Sequence, residues 1–184
     1  MNNTFKLCGL WLLLVAVAIA GRIWQPALNV TPMAGVALAA GAIFSHPLVA
    51  ASVPVAALAL SNIFLPPYES WVMATVVFAA TAWPVFLGSV VRGGRLIAVV
   101  GGALASSLAF YLSTNFAYWC LSTDYPHTLG GLVACYLAAL PFYRWMPVGD
   151  LVWSLFLFGG GASVSRMVHD KVRIGFWPGP ERLA

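Results

Sequence analysis

Residues 33–63 read MAGVALAAGAIFSHPLVAASVPVAALALSNI, and the reading of this stretch decides the fold. It holds two apolar runs, Met33 to Phe44 and Leu48 to Ile63, separated only by Ser45, His46 and Pro47. Proline breaks a helix from within but fits the first turn of a new one, and Ser or His before it offers a cap. A tight helical hairpin is therefore expected. Its first arm is short and built from Gly35, Ala37, Ala39, Ala40, Gly41 and Ala42. Small side chains let a neighbouring backbone come close, which compensates for limited length.

Outward from the hairpin, further apolar runs cover Leu7 to Gly21, Trp71 to Val91, Leu96 to Thr114 and Leu151 to Val164. A helix needs roughly 20 apolar residues to cross about 30 Å of hydrocarbon, where its backbone groups must be satisfied internally. Composition agrees: 61% of residues are hydrophobic and 8% charged, against about a quarter charged in soluble domains. Mean hydropathy is +0.90. The expected fold is an all-α integral membrane protein of six transmembrane helices, a single membrane domain over residues 1–184. Residues 1–6 make a short cytoplasmic N-terminus and 166–184 a basic cytoplasmic tail.

The segment Thr128 to Tyr143 is also apolar, and whether it crosses decides the topology. Positive residues favour the cytoplasmic side. If it does not cross and the N-terminus is cytoplasmic, Lys6, Arg92, Arg95, Arg166, Lys171, Arg173 and Arg182 lie inside, with Arg22 and Arg144 outside. If it crosses, only Lys6, Arg92, Arg95 and Arg144 stay inside. The first arrangement is favoured, with this segment a re-entrant or loop-borne helix; seven spans are the alternative. Lys6, the apolar run and Ala18-Ile19-Ala20 before Gly21 also fit a cleavable signal peptide, but a retained first helix explains the same residues.

The net charge of +4 sits between apolar segments and in the tail, with no basic face interleaved with aromatics, so no nucleic-acid partner is expected. Cys8, Cys120 and Cys135 show no metal-type spacing, and no metal is expected. No Ser/His/Asp set, HExxH or phosphate-cradling loop appears, so the chain is not read as an enzyme and no cofactor is implied. Gly159-Gly160-Gly161 ends an apolar helix with no strand before it.

The outer loops expected from this topology are Arg22 to Pro32, Asn62 to Ser70 and Asn115 to Pro147. They hold nearly all the unusual polar and aromatic residues, an asymmetry that points to an outward-opening pocket. Its expected walls are Asn29, Asn62, Tyr68, Asn115, Trp119 and Tyr136. Interfacial belts explain the aromatics as well, and helix capping explains the asparagines. Asp150, after Gly149, is expected to cap the last helix, with cation or proton coupling as its other reading. His46 is expected to cap on the inner side, while His127 lies in a loop beside Pro126. A cluster of Asp150, His127 and Glu69 would mark a catalytic site. Ala16 and Ala20 lie one turn apart on the first helix, as do Gly101 and Ala105 on the fifth, giving flat stripes for helix contact.

Several strings together resemble a family of bacterial membrane proteins catalogued as a domain of unknown function. They are Asn29-Val-Thr-Pro-Met-Ala-Gly35, Ser61-Asn62, Thr114-Asn115-Phe116 with Trp119, Tyr125-Pro126-His-Thr128 with Gly131, Cys135-Tyr136, Pro141-Phe142, Gly149-Asp150-Leu151 and Leu157-Phe158-Gly159. The resemblance covers about residues 29–159 and implies a multi-pass protein of the bacterial inner membrane; Asn62 departs from it, since Asp is expected after the serine.

The layout is also similar to the S components of energy-coupling-factor vitamin transporters: six helices, outer loops over the ligand, and an Ala-xxx-Ala stripe on the first helix, matched by Ala16 and Ala20. That similarity implies a small-molecule binding or transport subunit that captures its ligand outside and docks on a transmembrane coupling subunit driven by ATPases. The alternative is a structural or assembly protein that works by helix contacts in the lipid bilayer and needs no ligand.

Overall fold

Each apolar run becomes helix, because a backbone in hydrocarbon can satisfy its own polar groups only within the segment. The computed structural model describes residues 3–25 and 29–167, with side chains at 4–25 and 29–160. The chain forms α1 (Asn3–Ile23), α2 (Met33–Ile43), α3 (Pro47–Ser61), α4 (Trp71–Ala82), α5 (Gly88–Val91), α6 (Leu96–Leu121), α7 (Leu129–Tyr143) and α8 (Met146–Met167). A 3-10 turn at Asn62–Phe64 extends α3, and another at Trp83–Leu87 joins α4 to α5. Among the described residues every regular element is helical.

Thr4–Ile23, Pro47–Phe64, Trp71–Val91 and Leu96–Leu121 are long and apolar enough to cross a membrane. The pair α7 and α8 passes the same test jointly, up to Gly160, but bends by 47° at its break. These helices make the chain a multi-pass membrane protein. Residues 168–184 of the expected basic tail lie outside the described residues, Lys171, Arg173 and Arg182 among them.

Three expectations need correction. The helix expected to end at Thr114 runs on to Leu121, so Asn115 and Trp119 are helical and not in a loop. The last helix starts at Met146, not Leu151, so Asp150 stands inside it and caps nothing. His46 occupies the N-cap of α3 without a side-chain bond; Pro47 at the first helical position has no N–H to satisfy, which leaves less for a cap to do.

The centre of the protein is the short arm of the hairpin. At 1.5 Å per residue, the 11 residues of α2 span only about 16 Å, half the hydrocarbon thickness. It need not reach lipid, because it is wrapped by α1, α3, α4, α5, α6 and α8. Val36, Ala37, Leu38 and Ala40 have no accessible surface. Glycines set how close the neighbours come. A Cβ on Gly41 would stand 2.0 Å from the Val85 carbonyl oxygen, and one on Gly88 would stand 2.0 Å from the Gly41 carbonyl carbon. The backbone opposite Gly41 is the 3-10 turn containing Pro84, where the missing N–H and the ring disfavour continued α-helix.

One face of the bundle gathers the ends of α1 and α3 and the start of α2: Arg22 bonds Asn62, and Gly21 lies against Pro32. On the opposite face Arg92 Nε donates to the Ala42 carbonyl at 3.0 Å, tying the end of α5 to the end of α2. Because α2 is short, space is left above its first turn on the Arg22 face.

Candidate ligand cavity

That space is a cavity of about 140 Å³, floored by Thr31, Met33 and Ala34 of the α2 entry. Leu58 of α3, Val77, Ala80 and Thr81 of α4, Pro84, and Phe110 of α6 form largely apolar walls. Two charged residues face it, Arg22 from α1 and Asp150 from α8, together with Asn29, Ser106 and Met146.

Arg22 lies in the last turn of α1, where a cation meets the negative end of the helix dipole. Its Nη1 donates to Asn62 Oδ1 at 2.7 Å and to the Ser61 hydroxyl. Ser61 is fully buried and gives its own proton to the Ala57 carbonyl at 2.7 Å, so its oxygen is free to accept. Asn62 Nδ2 in turn donates to the Tyr68 hydroxyl at 3.2 Å. A guanidinium carries five N–H donors in a fixed fork. Two are spent on Ser61 and Asn62, and the Tyr68 hydroxyl is a further side-chain partner; a five-donor group still has protons to spare for a ligand.

Asp150 is 4% exposed and stands in the second turn of α8, against the middle of the 26-residue α6. Ser107 Oγ donates to its Oδ2 at 2.6 Å. A carboxylate at such depth is expensive and marks a functional position more often than a structural one. Beside it, Ser106 and Thr81 give their hydroxyl protons to the carbonyls of Gly102 (2.6 Å) and Val77 (2.7 Å) one turn back. Their lone pairs remain available as acceptors.

The six residues expected to line one pocket fall into two places. Asn29 lines the cavity; it adopts the left-handed conformation, φ 65°, which Asn tolerates better than most residues. Its Nδ2 donates at 2.9 Å to the Phe142 carbonyl, in the last turn of α7. Asn62 and Tyr68 stand one step behind the cavity, as the support of Arg22. Asn115, Trp119 and Tyr136 are not among its lining residues. Asn115 Nδ2 bonds the Tyr111 carbonyl one turn back on its own helix (2.8 Å), while Tyr136 Oη to the Leu112 carbonyl (2.8 Å) and Trp119 Nε1 to the Pro126 carbonyl (3.1 Å) join α6 to α7 and its entry. Of the three asparagines expected to cap, Asn62 holds the C-cap position of α3 through its backbone, while the Asn29 and Asn115 side chains bond carbonyls of α7 and α6.

His127 bonds the Trp119 carbonyl at 2.9 Å while Asp150 bonds Ser107, so the two share no hydrogen bond. Among the described residues no three His, Cys, Asp or Glu gather to hold a metal. Of the small-residue stripe on α1, Ala16 is exposed and Ala20 half-buried; Gly101 and Ala105 on α6 are both exposed.

Sequence reasoning missed Arg22, Thr81, Ser106 and Asp150 as one group. In the sequence Arg22 reads as a topology residue and Asp150 chiefly as a cap. The usable signal was an acid flanked by apolar residues on both sides, Met146-Pro-Val-Gly-Asp150-Leu-Val-Trp153.

No curated protein and no solved structure matches the chain. The match that exists is to a family of unknown function, DUF6580, and it runs over residues 2–172. It takes in every residue of the cavity, and the chain belongs to the DUF6580 family.

Proposed function

We propose that the protein is a membrane-embedded small-molecule binding or transport subunit whose ligand occupies the cavity between Arg22 and Asp150. The observation that carries this reading is a buried carboxylate and a partly satisfied guanidinium facing one space with apolar walls. Ligand sites combine such walls with a few oriented polar groups. A purely structural protein, acting by helix contacts, has no need of charges at that depth. No catalytic role is proposed.

In this reading the chain crosses six times, with α2 as a short span supported by protein, α7 as a re-entrant or loop-borne helix and α8 as the last span. Both termini are then cytoplasmic, and the cavity opens to the outer side of the bacterial inner membrane, near Arg22. The arrangement resembles an S component of a vitamin transporter. The exposed Ala16 and half-buried Ala20 would be the docking stripe for a transmembrane coupling subunit that brings ATP-driven motion.

The test is a thermal-shift screen of the purified, detergent-solubilised protein against vitamins, their precursors and amino acids. A ligand that binds only the folded state raises the melting temperature by mass action, about 2.7 kcal/mol at one hundred times Kd. A concentration-dependent hit that disappears in Ala34→Leu, which fills the cavity floor, supports the reading. Hits unaffected by Ala34→Leu, or none at all, count against it.

A further inference from the structure

The polar groups that line the cavity differ in hydrogen-bond sense. Three of the lining groups accept: the Asp150 carboxylate, and the Ser106 and Thr81 hydroxyls, whose protons are committed to the Gly102 and Val77 carbonyls. On Arg22 the surplus is of donors. The guanidinium is anchored through Nη1 by Ser61 and Asn62 and also meets Tyr68, and its remaining N–H donors suit a carboxylate. The hydrogen bonds of Arg22 run to Ser61 and Asn62 and that of Asp150 to Ser107, with none between the two charges.

We infer that the ligand is a small zwitterion with its charges at opposite ends, an ammonium group against Asp150 and a carboxylate against Arg22. This rests on the binding reading above and narrows it to a chemical class. Desolvating one charge against a fixed opposite charge is tolerable only if both are paired, and a zwitterion pairs both residues in one step. Size sets the scale. Protein cavities of about 150 Å³ hold a molecule of benzene's size, so the 140 Å³ here suits about six non-hydrogen atoms, the size of a short linear amino acid.

Purified protein is titrated by thermal shift with β-alanine, 4-aminobutyrate and 5-aminovalerate as a length series. Butylamine, butyrate and butyramide serve as probes with one charge or none. The expected result is a shift with at least one of the amino acids and with none of the other three at the same concentration. Asp150→Asn and Arg22→Gln should each raise the concentration needed at least tenfold, while Tyr136→Phe leaves it unchanged. If Asp150→Asn does not fold, Ser106→Ala reads the same accepting groups. A shift with butylamine, butyrate or butyramide that is lost in Ala34→Leu overturns the zwitterion and leaves the binding reading standing. No shift with any of the six overturns the zwitterion; if the broad vitamin screen is also silent, the binding reading falls with it.

Discussion

Around α2, backbones touch backbones; around α7, side chains reach across to carbonyls. Gly41 and Gly88 bring main chains so near that neither leaves room for a methyl group. At the α6 to α7 contact, by contrast, Tyr111, Tyr136 and Trp119 span the gap with hydrogen bonds of 2.6 to 3.1 Å. The first kind of packing has no slack, because protein interiors are already close-packed and backbone cannot step aside. The second can lose one bond and keep its shape. The cavity lies on the rigid side, where the short central helix leaves space that its neighbours cannot collapse into. A pre-formed site of fixed dimensions follows from that.

The comparison breaks first, if it breaks, at Gly41. Gly41→Ala should abolish folding outright, by more than about 4 kcal/mol, at the exceptional end for one substitution; size-exclusion of the detergent-solubilised protein would show no monodisperse peak. A Gly41→Ala protein that elutes and melts like the parent would mean that α2 is not clamped.

A second expectation concerns the support of the buried carboxylate. Ser107→Ala removes the hydroxyl that holds Asp150, and leaving that buried group unsatisfied should cost about 1–3 kcal/mol. Ser113→Ala, on an exposed stretch of the same helix, should stay within about 0.5 kcal/mol by the same melting measurement. Equal effects would show that depth does not distinguish the two serines.

On the aromatic side the changes are smaller. Tyr136→Phe deletes one bond to the Leu112 carbonyl, worth about 0.5–1.5 kcal/mol, and should leave ligand response intact. A variant that melts normally but loses ligand would move the site to α7. Gly101→Ala should cost nothing: no atom lies within 4 Å of the added methyl, and inside a helix the change stabilises by about 0.5–1 kcal/mol, so a loss of stability would reveal a partner on that face.

The helices were legible in the sequence because the bilayer dictates their length and apolarity. The hairpin around Pro47 was also legible, because proline marks a helix start so firmly. Helix ends were less so. Nothing in Asn115 to Leu121 breaks a helix, but its polar and aromatic residues resemble a loop at the membrane surface. Pro147 ends the outer loop in the sequence reading, although it stands in the first turn of α8, where proline is well tolerated. That misplaced start turned a buried carboxylate into a cap. The cavity itself was not legible, since it arises from α2 being shorter than its neighbours, and only packing converts a difference in length into an empty space. Asn29 was found because its loop is polar. Thr81 and Ser106 were not, because a hydroxyl inside an apolar helix more often just bonds its own backbone, as both of these also do.

The most direct measurement is thiol labelling in native membranes. Ala34→Cys and Gly101→Cys are placed separately in a background with Cys8, Cys120 and Cys135 replaced by serine or alanine, then exposed to a small, charged methanethiosulfonate reagent. Such reagents attack the thiolate, which forms only where water reaches. Rapid modification at position 34 from the outer side, with none at the lipid-facing position 101, is the expected result. A position 34 as inert as 101 from both sides would contradict a water-filled cavity between Arg22 and Asp150, and with it the binding function.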